Sequence, residues 1–226
     1  MDAGATLRSH LDTLKSLRGA EAVAPPALQG LKAFQSQRLA RSYADVAAQP
    51  RYRMATSFFL DDLYGPKDFS GRDEAMMRIL PVMVRTLPAA GVEAATLAIE
   101  LEALSESLDH RTAQQLEPGP IGDESYARAY RAGSTRPERE RQIELIVTVG
   151  KDLDWLVKKP LVYATLKLMR APARLAGLQD LQDFLERGFA AFRAMGGADE
   201  FLALVRDREM QILNRLFSGA PGPFSI

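Results

Sequence analysis

Apolar residues return every three to four positions along almost the whole chain, and proline and glycine cut that rhythm into helix-length pieces. The spacing predicts helices at about 5–18, 27–48, 51–64, 72–87, 89–116, 123–132, 136–158, 160–170, 175–195 and 198–217. Few segments alternate in the manner of strands. The piece RQIELIVTVGKDLDWLVKK carries Ile143, Leu145, Ile146, Val147, Val149, Leu153, Leu156 and Val157 around most of its circumference. A helix apolar on every side belongs in the middle of a fold. Gly150 within it costs helix stability and implies the close approach of a neighbour. The expected fold is therefore all-α: a single domain over residues 1–226, an irregular or orthogonal bundle of about 8–10 helices around 136–158. Residues 1–25 hold an N-terminal helix that can pack loosely, and SGAPGPFSI, from 218 to 226, reads as a flexible tail.

Against that pattern, the informative residues are charges that fall inside an apolar stripe. In 51–64 the stripe is Tyr52, Ala55, Phe59 and Leu63, flanked by Phe58. Asp62 falls between Phe58 and Phe59, whereas Asp61 falls on the opposite, wet side. Glu100 lies on the edge of the stripe Leu97, Leu101, Leu104, Leu108. Asp154 shares a face with Ile143, Val147 and Gly150, Arg208 sits within Phe201, Val205, Ile212, Leu216, and Arg72 lies on the side of Met76 and Met83. Buried charges must pair or neutralise. Asp62, Arg72, Glu100, Asp154 and Arg208 thus form either an interior salt-bridge network or a polar pocket in which arginines hold an anion and a carboxylate acts as base or metal ligand.

Other candidates carry a plainer reading beside the chemical one. Glu106 and His110 stand one turn apart in SESLDHR, a spacing that can bind a divalent ion or, through His110, haem; as an ordinary feature it is a helix-surface salt pair. Tyr126 and Tyr130 with Arg128 and Arg131 could stack on a ligand, or form an amphipathic face with wet hydroxyls. Met76, Met77, Met83, Phe189 and Phe192 read as packing.

Composition then narrows the classes. The 226 residues are 46% hydrophobic and 26% charged, enough for a sizeable core. Lysine plus arginine equals aspartate plus glutamate at 29 each, so the basic excess of a nucleic-acid binder is missing. The absence of cysteine removes thiolate metal sites, iron–sulfur clusters and cysteine nucleophiles. With only His10 and His110, neither a zincin, an HD-type metal centre nor a pair of Glu-x-x-His motifs can be built. Serine-hydrolase, phosphate-loop and dinucleotide glycine signatures are absent. No cofactor is indicated. The N-terminus lacks a signal-peptide core, and no apolar run is long enough to span a membrane, so a soluble cytoplasmic chain is expected.

The stretches FFLDDLYGPKDFSGRD, QIELIVTVGKDLDWLV, MRAPARLAGLQDLQDFLERGFAAFRAMGGADEFL and RDRE carry a resemblance. The chain resembles a family of uncharacterised bacterial, mainly proteobacterial, proteins with an FFLxDLYG…RD motif. The resemblance implies an all-helical fold and transfers no catalytic residue. The expectation for function is a non-enzymatic protein binding a protein partner or small ligand, with an internal Asp/Glu/Arg network. The alternatives are an enzyme or metal or cofactor binder built on the carboxylate–arginine pocket, or haem or metal binding through His110. Self-association is left open.

Overall fold

A computed structural model describes residues 3–19, 27–63 and 89–225. Within them every regular element is helical: α1 (Ala3–Gly19), α2 (Ala27–Ser42), α3 (Ala44–Ala47), α4 (Arg53–Phe58) running into a π-helical turn (Phe59–Leu63), α5 (Ala89–Ala113), α6 (Asp123–Gly133), α7 (Arg136–Val157), α8 (Pro160–Leu168), α9 (Arg170–Leu175), α10 (Gln179–Met195) and α11 (Asp199–Ser218). The all-α class is as expected. The predicted helix 72–87, with Arg72, Met76, Met77 and Met83, lies outside the described residues.

Local chemistry sets the boundaries. α7 opens on a capping box: the Thr135 N–H and hydroxyl both donate to Glu138 Oε2, and Pro137 occupies the first turn, where its missing N–H costs nothing. α10 and α11 end on Gly196 and Gly219, each in the left-handed region that glycine enters without strain. The expected helix 27–48 breaks at Tyr43, which leaves helical geometry as its ring enters the core. The expected 175–195 begins at Gln179 instead, because Leu175 closes α9 and the chain turns at Gly177.

Two apolar clusters fill the interior. One joins Tyr43, Val46, Tyr52 and Ala55 to Val157 of α7, Phe189 and Phe192 of α10, and Phe201, Leu202 and Val205 of α11. The other joins Leu28, Leu31 and Phe34 of α2 to Ala113, Tyr126, Tyr130 and the far end of α11, Ile212 and Leu216. α11 therefore runs through both. α1 adds a third, smaller contact, Leu7 and Leu11 against Val92 and Ile99 of α5. The last residues are engaged too: Phe224 packs on Phe34 and Tyr126, and Arg215 donates to the carbonyls of Pro221 and Gly222.

Three expectations are corrected. α7 is not buried on every side: Glu144, Thr148, Lys151 and Trp155 form one wet face. On α5, only Leu108 of the expected leucine stripe is buried. Besides Leu108, the covered positions are Val92, Thr96, Ile99, Ala103, Glu106, His110, Thr112 and Ala113. That helix is apolar around most of its girth, so its sequence alone does not choose a face; packing against α1 on one side does. Tyr126 and Tyr130 are core residues, packed at a tilt against each other, with Tyr126 tilted against Phe34 and Tyr130 edge-on to Phe217.

Two glycines mark where backbones meet. A Cβ at Gly150 would stand 2.5 Å from Leu202 Cδ2, a side-chain tip that can rotate away. A Cβ at Gly133 would stand 2.7 Å from the backbone nitrogen and Cα of Thr112, which cannot. Gly133→Ala is expected to cost about 3 kcal/mol as overpacking, and Gly150→Ala about 1 kcal/mol after the gain in helix propensity is set against it. Urea denaturation of both variants checks the order; equal costs would show that the α5–α6 contact is free to relax.

Candidate functional site

Among the described residues, Asp62, Glu100, Asp154 and Arg208 meet four different partners. Asp62 is buried in the π-helical turn, whose wider winding moves it off the α-helical register. Arg187 of α10 reaches it with Nη2 at 2.9 Å and Nε at 3.1 and 3.2 Å from the two oxygens. Asp61 faces solvent and accepts from Ser57. Glu100 is only partly buried and holds Arg141 of α7 through Nη2 at 2.8 Å and Nε at 3.0 Å. Arg208 lies at the edge of α11 and forks onto Asp45 at 2.8 and 2.9 Å while also donating to the Ser42 carbonyl. Those bonds pull the Asp45 carboxyl below its ordinary range. Asp154 is buried; its Oδ2 takes Lys158 Nζ at 2.6 Å, and among the described residues its Oδ1 has no partner. Arg72 lies outside the described residues.

A larger polar assembly runs along α5, on the face the leucine stripe had hidden. Glu106 accepts from Lys32 at 2.8 Å, and His110 Nε2 stands 3.6 Å from the same oxygen, beyond hydrogen-bond reach. Both are buried, so the expected helix-surface pair is an interior one. Asp109 accepts from Gln35 Nε2 at 2.8 Å. Arg139 is buried with its guanidinium 4.1 Å above the Tyr130 ring. It donates to Ser134, Gln142 and Thr112, three neutral acceptors. Burial pushes the Asp109 carboxyl up, and the Gln35 bond and the nearby Arg139 charge only partly offset it. Among the described residues, no group of three or more His, Asp or Glu side chains is gathered so as to hold a metal ion.

Sequence reading passed over a second buried knot. Glu209 of α11 accepts from Arg38 Nη1 at 2.8 Å and from the Tyr43 hydroxyl at 2.9 Å, between the two apolar clusters. Burial opposes the Arg38 charge, but the Glu209 carboxylate outweighs it and holds the guanidinium above its ordinary range. Tyr43 is pushed up by burial and by the same anion. The stripe test would have found Arg38, since it continues Leu28, Leu31 and Phe34 at helical spacing.

The surface has one unusual region. Among the described residues seven large apolar side chains are widely exposed, and Trp155, Leu161, Leu168, Met169 and Leu175 are five of them. Residues 155–179 contain five cations and no carboxylate, although the whole chain is neutral. Beside this region an open cleft of about 360 Å³ is lined by Asp154, Lys158, Tyr163, Phe192 and Arg193, among others.

A family model described as Domain of unknown function (DUF8198) matches residues 16–223, and the chain belongs to that family. No curated protein and no solved structure matches the chain.

Asp109 gives this interior a pH signature. A carboxyl whose pKa rises on folding binds its proton more readily in the folded chain. Its stabilising contribution is therefore present at low pH and is lost as pH climbs from the unfolded value, about 3.9, through the folded one. Asp109→Asn keeps an oxygen for Gln35 and removes the titration. Its urea midpoint at pH 7 is expected to exceed that of the parent, with a flatter fall in stability above about pH 4. A lower midpoint at pH 7 would mean that ionised Asp109 is itself stabilising.

Proposed function

We propose that this family member is a non-enzymatic partner-binding protein whose working surface is the outward side of α8 and α9. The bacterial origin implied by the resemblance and the cytoplasmic setting expected from the sequence belong to the same reading. The observation that carries it is the concentration of exposed apolar side chains between 155 and 175, with Leu161 at 81%, Leu168 at 77% and Leu175 at 90% exposure. Leaving a leucine in water forgoes about 2 kcal/mol of burial, so a clustered row of them signals a surface that something covers. The interior charges support a structural role for themselves: Asp62, Glu100 and Arg208 are each engaged by a neighbouring element, Asp62 by Arg187, Glu100 by Arg141 and Arg208 by Asp45.

A photo-crosslinking residue at Ala164, on that surface, tests the reading in cells, with the same residue at Thr148 on the wet face of α7 as the control. A covalent adduct of discrete mass from position 164 and none from 148 is the expected result. No adduct, or the same adducts from both positions, would remove the basis for the proposal.

A second reading keeps a small-ligand site at the cleft, because the unpartnered Asp154 Oδ1 lies buried in its wall and Lys158, the partner of the other oxygen, is exposed and displaceable. Such a site suits a small cationic ligand. Small amines that raise the melting temperature of the parent but not of Asp154→Asn are the expected outcome; equal shifts in both, or none, dispose of it.

A further inference from the structure

The helical hydrogen bonding passes through the junction between α8 and α9. The Met169 N–H donates to the Thr165 carbonyl at 3.0 Å, and the Ala173 N–H donates to the Met169 carbonyl at 2.8 Å. Residues 161–175 can therefore be placed on one helical wheel. Leu161, Leu168 and Leu175 recur every seven residues, and Ala164 and Ala171 fall three residues after the first two. That is the three-four spacing of a coiled-coil seam. All five are exposed. The inward positions of the same wheel are Val162, Tyr163, Leu166 and Ala173; the first three pack against the larger core and Ala173 is buried. The seam is thus not a core face turned the wrong way. It is a second apolar stripe on the side opposite the core.

Lys167 and Arg174 border the stripe on one side; on the other come Thr165 and Pro172, with the exposed Met169 beyond them. A leucine–alanine row at three-four spacing with cations along one flank fits a single partner helix. Alternating leucine with alanine lets that helix come close.

Charge then selects among partners. Lys158 is taken by Asp154 and Arg170 by Glu186. Lys167 lies over the Tyr163 ring at 4.3 Å, and neither it nor Arg174 has a carboxylate partner among the described residues. Both stand at the flanking position just before a seam leucine, where coiled coils place the charges that choose their partner. An antiparallel second copy would set Lys167 and Arg174 against themselves. A parallel copy would set them against Thr165 and Pro172, with no anion to meet them. Resting on the reading of this surface as a docking face, we infer that its partner is a leucine-rich helix with acidic flanks on another protein.

The single tryptophan of the chain, Trp155, is half-exposed near the end of α7, six residues before Leu161, and supplies the fluorescence signal. The probe is a synthetic peptide of three heptads with leucine and alanine at the seam positions and glutamate on both flanks. Its counterpart carries lysine at the flanks. The full chain is expected to bind the glutamate peptide with a blue shift of Trp155 emission. Binding should weaken at least tenfold between low and high salt, and the lysine peptide should bind at least tenfold more weakly. The variant Leu161→Ser/Leu168→Ser/Leu175→Ser should keep the parent's circular dichroism and melting temperature and lose the binding. Equal affinity for both peptides, or binding that survives in the triple variant, overturns the inference. So does a Trp155 shift produced by vesicles of phosphatidylcholine and phosphatidylserine at three to one but not by the glutamate peptide, which assigns the face to a membrane. Sedimentation showing a dimer that the triple variant abolishes assigns it to a second copy. An adduct from position 164 together with no binding of the glutamate peptide rejects the acidic helix alone. Loss of both rejects the docking face as well.

Discussion

Glu209 holds the two halves of the interior in register. It lies midway along α11, which sends buried residues into both large apolar clusters, and it receives Arg38 from α2 and the Tyr43 hydroxyl from the break between α2 and α3. Glu209 is largely covered, so losing its donors would leave a poorly solvated charge unpaired. Apolar contacts alone would permit α11 to slide past α2 by a turn with modest loss. The directional bonds at Glu209 do not, and Arg208, one residue earlier, adds a second fork to Asp45 on α3.

The same logic accounts for the polar assembly on α5. Glu106, Asp109, His110 and Thr112 face neighbours rather than solvent, and α2, α6 and α7 supply Lys32, Gln35, Ser134 and Arg139 to meet them. Arg139 is held by neutral acceptors and an aromatic face, with Asp109 near enough to be influenced by its charge. Such an arrangement fixes four helices in orientation, and most of its donors and acceptors are spent on doing so. That is why the structure draws attention away from the buried ions and toward the surface.

On the surface, α8 and α9 are shaped by two demands at once. Their inner side must cover Phe189 and the end of α7, which Tyr163 does by stacking on Phe189 at 5.5 Å. Their outer side carries leucines that are widely exposed, Leu161, Leu168 and Leu175. A segment retained with apolar rows on opposite sides is built to be covered twice, once by its own fold and once by something else. Its one-signed charge sharpens that conclusion, since a solvated surface in a neutral chain mixes both signs.

Much of this was legible in residue order. Helical spacing, the capping box at Thr135 and the glycine stops at Gly196 and Gly219 are local, so the elements followed from sequence with shifts of a few residues. The crowding at Gly150 was legible for the same reason, as were the separate fates of Asp61 and Asp62. The heptad of Leu161, Leu168 and Leu175 and the missing acids of 155–179 are equally plain in the sequence. What residue order could not contain was the identity of partners. Asp62 chose Arg187, 125 residues away, and Arg38 chose Glu209, 171 away. α5, apolar on most sides, took its buried face from α1 rather than from its own leucines. Periodicity fixes which residues share a side of a helix, because that depends only on the helical repeat. Which side is buried, and which charge meets which, depends on how the helices are stacked, and only the tertiary structure decides that.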